Sequence, residues 1–388
     1  MIRQAALYLV SSDDARAALL TIGGRPLAFR LVMAALRAGA ERVAVPAVFR
    51  GTAVERAIAA SPRARAGVVW LPDAGLDAGP ALLVPAAAVV TPLALVPLLA
   101  AAGPAVLAGS GETGAPVVAA DAALTATLAA PLAAGAPLGD RLHSACAGAA
   151  VVARPGTWMV RVADAAGLAR AEARLYASLG SPIDTRLDTL VHRRLSLPLS
   201  RLAVTLGVTP NAITLASVVV GLAAAWCLGQ GSLAAAIGGL LGYLLAVVLD
   251  HADGEVARLT LTESALGERL DVLGDTIVHA ALVLAMGVTA ARVAGAGGVT
   301  GVVAALGVAG SAVVAKLSPA LGADGVPPAG LGRLLTGLGT RDGYYAMLLA
   351  FVALLAAWPA ALPGLMVLVA AGSHAYWVGR AAYRRRRG

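Results

Sequence analysis

The sequence predicts an α/β domain followed by an all-α transmembrane domain, because both its composition and its pattern separate two regions. Of the 388 residues, 59% are hydrophobic and 13% are charged, whereas soluble domains carry about 25% charged residues. The mean hydropathy is +0.80. Roughly the first 175 residues alternate short apolar runs with helical patterns, and long apolar segments follow. A chain of this length has room for both domains.

In the N-terminal region, residues 1–175, strands and helices are expected to alternate. Strands are predicted at AALYLV (5–10), at RVAVP from Arg42 and at GVVWL from Gly67, with a helix over 26–38. This alternation is typical of a parallel, Rossmann-type sheet with a nucleotide crevice at one edge.

Residues 176–208 are polar and amphipathic, and they predict an interfacial linker helix. Its arginines are expected at lipid headgroups and its leucines at the acyl boundary. These residues are Arg186, Arg193, Arg194, Arg201, Leu187, Leu190, Leu195 and Leu199. A plain linker helix is the alternative.

The third region, residues 209–388, contains six apolar segments, each near the ~20 residues that a helix needs to cross a bilayer. They cover residues 211–229, 232–257, 264–289, 295–316, 341–358 and 361–380. The sequence therefore predicts a six-span membrane domain.

The basic residues between these segments predict the orientation. One side carries Arg258, Lys316, Arg333, Arg341 and Arg384 to Arg387, whereas the opposite loops contain Arg292. By the positive-inside rule, both termini face the cytoplasm, in an inner or plasma membrane. Orientation explains the net charge of +8, and the absence of a basic patch interleaved with aromatic residues argues against a nucleic-acid partner.

Four aspartates lie near the cytoplasmic ends of the second and third apolar segments. Asp250 and Asp253 are three residues apart, and Asp271 and Asp275 are four apart. On helices each pair therefore shares one face, and the two pairs are expected to converge. Ionised carboxylates at membrane depth are costly unless they are paired or bind a cation. Oxygen ligands without a nearby Cys or His₂ set predict Mg²⁺, Mn²⁺ or Ca²⁺ rather than zinc.

The residues around these aspartates suit a phosphate ligand. Gly254 and Gly267 allow a nucleotide or a phosphate to approach the backbone closely, and Arg258 offers a fork suited to phosphate oxygens.

The complete string D-x2-D-G-x2-A-R-x8-G-x3-D-x3-D, from Asp250 to Asp275, resembles the signature of the CDP-alcohol phosphotransferases. The resemblance implies a membrane enzyme that transfers a substituted phosphate group from a CDP-alcohol to an acceptor hydroxyl and releases CMP. It implies that the four aspartates Asp250, Asp253, Asp271 and Asp275 hold Mg²⁺ or Mn²⁺, with Asp275 as the catalytic base. It also implies a homodimer in contact with membrane lipids.

Further site residues come from the same resemblance. The segment TPNAIT, residues 209–214, looks like the start of the first span in this family. The predicted CDP-binding residues are Asn211, Gly254, Ala257, Arg258 and Gly267. The alternative for Asn211 is that Pro210 and its neighbour simply begin a helix. Arg333 and Arg341 are candidate ligands for an acceptor phosphate, and His279 is either a residue of the site or a core histidine.

Residues 22–45 of the N-terminal region resemble sugar-nucleotide and cytidylyl transferases, but the sequence departs from their pattern. The segment SSDDARAALL after the first strand has no glycine, and Asp13 and Asp14 would repel a triphosphate. We therefore expect a degenerate nucleotidyltransferase-like domain with a docking or regulatory role. A bifunctional chain with an active cytidylyltransferase is the alternative. GSGETG at 109–114 is expected to form a turn.

The substrates remain open at this point. The donor is of the CDP-diacylglycerol or the CDP-inositol type, and the acceptor is a phosphorylated polyol or a lipid. From other classes, a transporter or a non-catalytic membrane scaffold is the alternative. The spans show no internal repeat of the kind common in transporters, and a scaffold has no need of the complete motif.

Overall fold

The computed structural model describes residues 2–110, 114–180, 184–295, 298–317 and 341–385, without the side chains of 312–317, 341 and 379–385. The chain forms two compact units. The first comprises Met1–Leu179 with Leu259–Thr262, and the second comprises Gly180–Arg258 with Glu263–Gly388.

The N-terminal unit alternates strands with helices along the chain. Its strands are β1 (Gln4–Tyr8), β2 (Thr21–Ile22), β3 (Arg25–Pro26), β4 (Arg42–Val45), β5 (Val68–Trp70), β6 (Ala81–Pro85), β7 (Ala88–Val90), β8 (Ala105–Leu107), β9 (Val118–Ala120), β10 (Ala150–Val152) and β11 (Met159–Arg161). Its helices are α1 (Asp14–Ala17), α2 (Leu27–Ala38), α3 (Ala53–Ala60), α4 (Pro62–Gly67), α5 (Pro92–Leu99), α6 (Ala122–Ala133), α7 (Gly139–Ala145) and α8 (Ala165–Ala177), with a 3₁₀ turn at Ala47–Phe49.

Seven of these strands form one mostly parallel sheet in the order β10-β8-β9-β6-β1-β4-β5. The central strand β1 pairs in parallel with β4 and β6, whereas β9 runs antiparallel to both of its neighbours. All residues of β1 and β6 are buried, as expected for strands covered on both faces. The predicted α/β class is therefore confirmed for this unit.

Helix α2 shows how the local sequence sets these boundaries. It begins directly after Pro26 and ends at Gly39, whose φ of 115° lies in the left-handed region that glycine adopts without a steric penalty. Ten of its residues, Leu27 to Leu36, are buried, so the helix packs as a core element and not as a surface one.

The described residues of the second unit form helices joined by short loops, and they contain no strand. It comprises a π-helical turn (Asp188–His192), α9 (Arg193–Leu206), α10 (Pro210–Leu228), α11 (Leu233–Thr260), α12 (Ala265–Ala294), α13 (Gly298–Leu317), α14 (Arg341–Ala357), a 3₁₀ turn (Pro359–Ala361) and α15 (Leu362–Arg385).

Helices lie at all six positions where the sequence predicts apolar spans. Four regions are long and apolar enough to cross a membrane, namely Pro210–Leu228, Leu233–Thr260, Ala265–Ala294 and Pro359–Val378. The apolar helices Gly298–Ser311 and Asp342–Ala357 are shorter. An all-α membrane domain is thus confirmed, and the count of six spans stays a prediction.

Glycines let the first three of these helices approach one another closely. A Cβ atom on Gly239 of α11 would lie 2.8 Å from the carbonyl oxygen of Ala224 in α10, and one on Gly221 of α10 would lie 2.6 Å from Val278 in α12. Real Cβ atoms do not come this close to their neighbours, so both positions require glycine or a shift of the helices.

Helix α9 and the π-helical turn before it replace the single predicted linker helix. Ser196, Ser200 and Ala203 of α9 are buried, whereas Leu195 and Leu202 are exposed. The polar face of the helix therefore packs inward and an apolar face points outward.

Two groups of residues in this segment differ from the expectation. Arg193 does not extend towards headgroups, because its guanidinium donates to Asp184 and to the fully buried Glu255. Leu187 and Leu199 pack against buried clusters and not outward. The prediction for these three side chains was wrong, because periodicity shows that a helix has two faces but not which face meets another helix.

Candidate active site

Aspartates from both pairs of the motif lie close together in the helical unit. Asp250 and Asp253 lie on α11, and Asp271 lies on α12. One carboxylate oxygen from each of these three residues lies within 4.8 Å of the other two. Asp275, one turn further along α12, lines a pocket with Asp250 and Asp271. Like charges at this separation repel one another unless a cation or a proton lies among them.

The start of α12 is fixed by a helix cap. Ser264 is the N-cap residue, and its hydroxyl accepts a hydrogen bond from the backbone N–H of Gly267 at 3.1 Å. A serine at this position satisfies one of the free N–H groups of the first turn. The cap sets where the helix begins, and the spacing of four residues places Asp271 and Asp275 on one face of it.

Three helices, α10, α11 and α12, form the walls of the pocket. Its lining residues are Thr214, Ser217, Val218, Tyr243, Ala246, Val247, Asp250, Asp271, Gly274, Asp275 and Val278. The close approach of α12 to α10 depends on Gly274, where a Cβ atom would lie 2.6 Å from Val218.

Asp253 is the most buried of the four aspartates, with 6% of its surface exposed. The hydroxyl of Thr214 in α10 donates a hydrogen bond to its Oδ2 atom. This bond fixes the carboxylate that is least accessible to water. The segment TPNAIT contains Thr214, but the motif alone did not single this residue out as a partner of Asp253.

Two pairs of predicted CDP-binding residues are neighbours in space. The Oδ1 atom of Asn211 lies 3.4 Å from the position that a Cβ atom on Gly267 would take, and Arg258 Nη1 lies 3.3 Å from the equivalent position on Gly254. Both glycines therefore leave room for a polar side chain beside the backbone. Ala257 is half-buried on α11 beside them.

Residues 207–377 match the sequence model of the CDP-alcohol phosphatidyltransferase family. This part of the chain is a CDP-alcohol phosphatidyltransferase domain. No curated protein matches the chain.

The match of residues 207–377 to this family bears out several expectations. The family and the four long apolar helices indicate a transferase of phospholipid biosynthesis that resides in a membrane. The family implies a CDP-alcohol donor and an alcohol acceptor, and members of the family generally depend on a divalent metal. The match does not extend to residues 1–206, so the likeness of the N-terminal domain to nucleotidyltransferases stays a prediction.

The donor atoms of this phosphatidyltransferase domain fit a hard divalent cation. Asp250, Asp253 and Asp271 offer carboxylate oxygens alone, which is the ligand type that Mg²⁺ and Mn²⁺ prefer. Several carboxylates so close together in a partly buried site are stabilised by a bound cation. The residues present therefore fit the metal that the family implies.

A second group of possible metal ligands lies nearby and was missed by the sequence analysis. Asp188, His192 and His251 are all buried, and their ligand atoms also lie within 4.8 Å of one another. The Asp188 Oδ1 atom lies 2.8 Å from His192 Nδ1 and 3.1 Å from His251 Nε2. The only signal in the sequence was that His251 stands inside the motif.

The charge of Asp188 is stabilised by its neighbours. Burial alone would raise the pKa of this carboxyl, but hydrogen bonds from the Thr185 backbone N–H and from His192, with the nearby His251, lower the pKa to about 2. Asp188 is therefore ionised at any physiological pH.

His279 contacts a residue of the pocket wall. Its Nε2 atom lies 3.0 Å from the hydroxyl of Tyr243, a lining residue, and its ring lies 4.3 Å from that of Tyr344. His279 is half-buried, and whether it serves the site or only the packing stays a prediction.

Some of the predicted residues lie outside the part of the chain that the structure describes. Arg333 lies outside the described residues, and so does the side chain of Arg341, whose backbone begins α14. Three of the six residues in GSGETG, 111–113, are also outside them. The roles expected for these residues stay predictions.

Proposed function

We propose that this chain transfers the substituted phosphate group of a CDP-alcohol to an acceptor hydroxyl, with Mg²⁺ or Mn²⁺ held by the motif aspartates. The observation that supports this function is the approach of the Asp250, Asp253 and Asp271 oxygens to within 4.8 Å of one another inside a domain of this family.

In the proposed reaction, the oxygen of the acceptor hydroxyl attacks the phosphorus that bears the alcohol. A new phosphorus–oxygen bond forms, the bond from that phosphorus to the bridging oxygen of the anhydride breaks, and CMP leaves with the bond's electron pair. Asp275 takes the proton from the attacking hydroxyl. This assignment is supported by its place in the pocket wall beside the three-carboxylate group, because a base must reach the reacting hydroxyl.

Asp250, Asp253 and Asp271 would hold the cation. When bound, it neutralises charge on the phosphate oxygens and on the departing CMP. The hydrogen bond from Thr214 holds Asp253 in place for this role.

The CDP group is proposed to bind beside the two glycines. Arg258 next to Gly254, and Asn211 next to Gly267, are the polar groups that would contact its phosphates or its cytidine, and Ala257 borders the same site. Arg333 and Arg341 are proposed to bind the phosphate of the acceptor, since their positive charge suits it.

We propose that the pocket opens to the cytoplasm of an inner or plasma membrane, with both termini on that side. The arginine and lysine residues of the loops support this orientation, and CDP-linked substrates are made on that side. The homodimer rests on the resemblance alone.

The experiment that tests the function uses the full chain purified in detergent with Mg²⁺. Radiolabelled CDP-diacylglycerol and CDP-inositol are each offered with a panel of phosphorylated polyols, and CMP release is measured. We expect release with one donor class, and we expect it to fall at least about 100-fold in Asp275→Asn, since a general base typically contributes 10²- to 10⁴-fold.

Glu268→Gln is the matched control, because Glu268 is an exposed acid on the same helix. It should keep the activity of the original chain. If folded protein releases no CMP with either donor, the enzyme proposal is wrong, and a membrane scaffold becomes the better hypothesis.

A further inference from the structure

The buried cluster of Asp188, His192 and His251 includes one residue of the motif, His251, on the side of α11 opposite to the motif aspartates. His251 stands between Asp250 and Asp253 on α11. At about 100° per residue, its side chain points away from the face that those two aspartates share. It contacts Asp188, which precedes α9 and lies outside the membrane helices.

The hydrogen bonds of the cluster join three separate segments. The carbonyl oxygen of Val247 can only accept, so His251 donates to it from Nδ1 at 2.9 Å. A second proton on Nε2 lets the same ring donate to the Asp188 carboxylate at 3.1 Å, as an ion pair. His192 contacts Asp188 through Nδ1 and the hydroxyl of Tyr345 in α14 through Nε2, at 3.1 Å. Asp188 thus links the π-helical turn to α11 and, through His192, to α14.

These distances favour hydrogen bonds over a metal in this cluster. Two ligands bound to one tetrahedral zinc ion at about 2.0 Å each lie about 3.3 Å apart. The separations of 2.8 and 3.1 Å between Asp188 Oδ1 and the two ring nitrogens are shorter and match ordinary hydrogen bonds.

The carboxylates of the pocket give a reason why α11 needs a contact that holds its rotation. Repulsion among the carboxylates of Asp250, Asp253 and Asp271 favours any rotation of α11 that separates them before a cation binds. A buried contact on the back of the same helical turn opposes that rotation. A second link reaches the pocket, because the ring of Tyr345 lies 5.1 Å from that of Tyr243, a lining residue.

We propose that Asp188 is a positioning residue for the metal site: through His251 it fixes the rotation of α11, so that Asp250 and Asp253 face Asp271. This inference rests on the proposed function, because it assumes that the motif aspartates bind the cation. It assigns a role in the site to a residue outside the motif and outside the membrane helices.

The test measures metal binding without any substrate. Mn²⁺ is titrated into the full chain in detergent, and free Mn²⁺ is followed by electron paramagnetic resonance. Asp188→Asn keeps the size of the side chain but removes its charge. We expect Mn²⁺ affinity to fall about tenfold, the lower end of the effect of removing groups that orient metal ligands.

Asp184→Asn is the matched control. Asp184 lies on the same segment and accepts two hydrogen bonds from Arg193, so its loss also weakens the packing of this segment. We expect its Mn²⁺ affinity to stay within about twofold of the original chain, because the hydrogen bonds described above connect Asp184 to Arg193 and, through Arg193, to Glu255, which does not hold the cation.

The outcomes separate the two proposals. If the original chain binds Mn²⁺ and Asp271→Asn does not, the metal site is supported, and equal affinity in Asp188→Asn then overturns the positioning role. If Asp271→Asn binds Mn²⁺ as well as the original chain, both proposals are wrong. Should Asp188→Asn fail to fold, His192→Gln, which retains the carboxylate, must weaken Mn²⁺ binding in the same direction or the inference fails.

Discussion

At the scale of single residues, the hydrogen bond from Thr214 to Asp253 is the contact on which we expect metal binding to depend most directly. Thr214→Val preserves the shape of the side chain but leaves the buried carboxylate without this donor. We expect the Mg²⁺ concentration for half-maximal CMP release to rise about 10- to 100-fold, as when other groups that orient metal ligands are removed.

Thr276→Val is the control for this substitution. Thr276 lies on α12, and its hydroxyl donates to the Val272 carbonyl within the same helix. The same chemical change there should leave the Mg²⁺ dependence unaltered. A Thr214→Val chain with an unchanged Mg²⁺ dependence would show that Thr214 does not orient Asp253.

At the scale of helices, two adjacent glycines on α11 lead to opposite predictions for the effect of alanine on stability. A Cβ atom on Gly239 would lie 2.8 Å from the Ala224 carbonyl oxygen and 3.1 Å from the Leu228 backbone nitrogen, whereas one on Gly238 would have no neighbour within 4 Å. Backbone atoms of α10 cannot move aside alone, so α10 and α11 must separate to admit even alanine.

We therefore expect Gly239→Ala to destabilise the membrane domain by about 1–3 kcal/mol, the usual cost of overpacking. Gly238→Ala should be neutral, or stabilising by up to about 1 kcal/mol through helix propensity. Denaturation of the two variants in mixed detergent micelles, followed by circular dichroism, compares them directly. Equal stability of both variants would contradict the close packing of α10 on α11.

Helix α9 shows at the same scale what a pattern leaves open. Its sequence is amphipathic, and either face can be imagined against lipid. Glu255, a buried carboxylate on α11, determines which face packs inward. It accepts hydrogen bonds from Ser196 at 2.7 Å, from Ser200 at 2.6 Å and from Arg193 at 2.7 Å. A buried charge needs such partners, so the polar face turns inward.

At the scale of the whole molecule, the number of spans is open to a direct test. If all six helices cross the membrane, residues 318–340 face the cytoplasm. If only the four long candidates cross, the same residues face the opposite side, although both termini keep their place. We expect six spans.

A single cysteine at position 325 distinguishes the two topologies, in a chain whose native Cys146 and Cys227 are replaced by serine. In intact cells, Gly325→Cys should resist a membrane-impermeant maleimide until the cells are permeabilised. Gln230→Cys, between α10 and α11, should react from outside in either case. Labelling of position 325 in intact cells would reject the six-span arrangement.

The N-terminal domain carries a separate prediction about the whole chain. Asp14 is buried at the start of α1, where its carboxylate accepts hydrogen bonds from the Val10 backbone N–H at 2.9 Å and from the Ser11 hydroxyl at 3.2 Å. The Asp14 carboxylate thus accepts the hydrogen bond of an N–H group in the loop after β1. In an active nucleotidyltransferase, this loop would bind a triphosphate.

We accordingly expect the chain to release no pyrophosphate from CTP and Mg²⁺ in the presence of inositol phosphate or other phosphorylated polyols. A coupled pyrophosphate assay measures this without interference from CMP release. Turnover above that of a boiled sample would instead support the bifunctional alternative.

The sequence by itself determined the two fold classes, the approximate position of each helix in the membrane domain, and the aspartate motif with its family. These features are encoded locally: apolar length, helical spacing and a fixed motif are properties of neighbouring residues. Spacing also fixes which aspartates share a face of one helix, as with Asp271 and Asp275.

The tertiary structure alone decided which residues from distant segments meet. Thr214 with Asp253, Asp188 with His251, and the inward face of α9 each join parts of the chain that no local pattern connects. These contacts depend on how closely helices pack at small residues and on the requirement that buried polar groups find partners. Both conditions are met only when the helices are assembled.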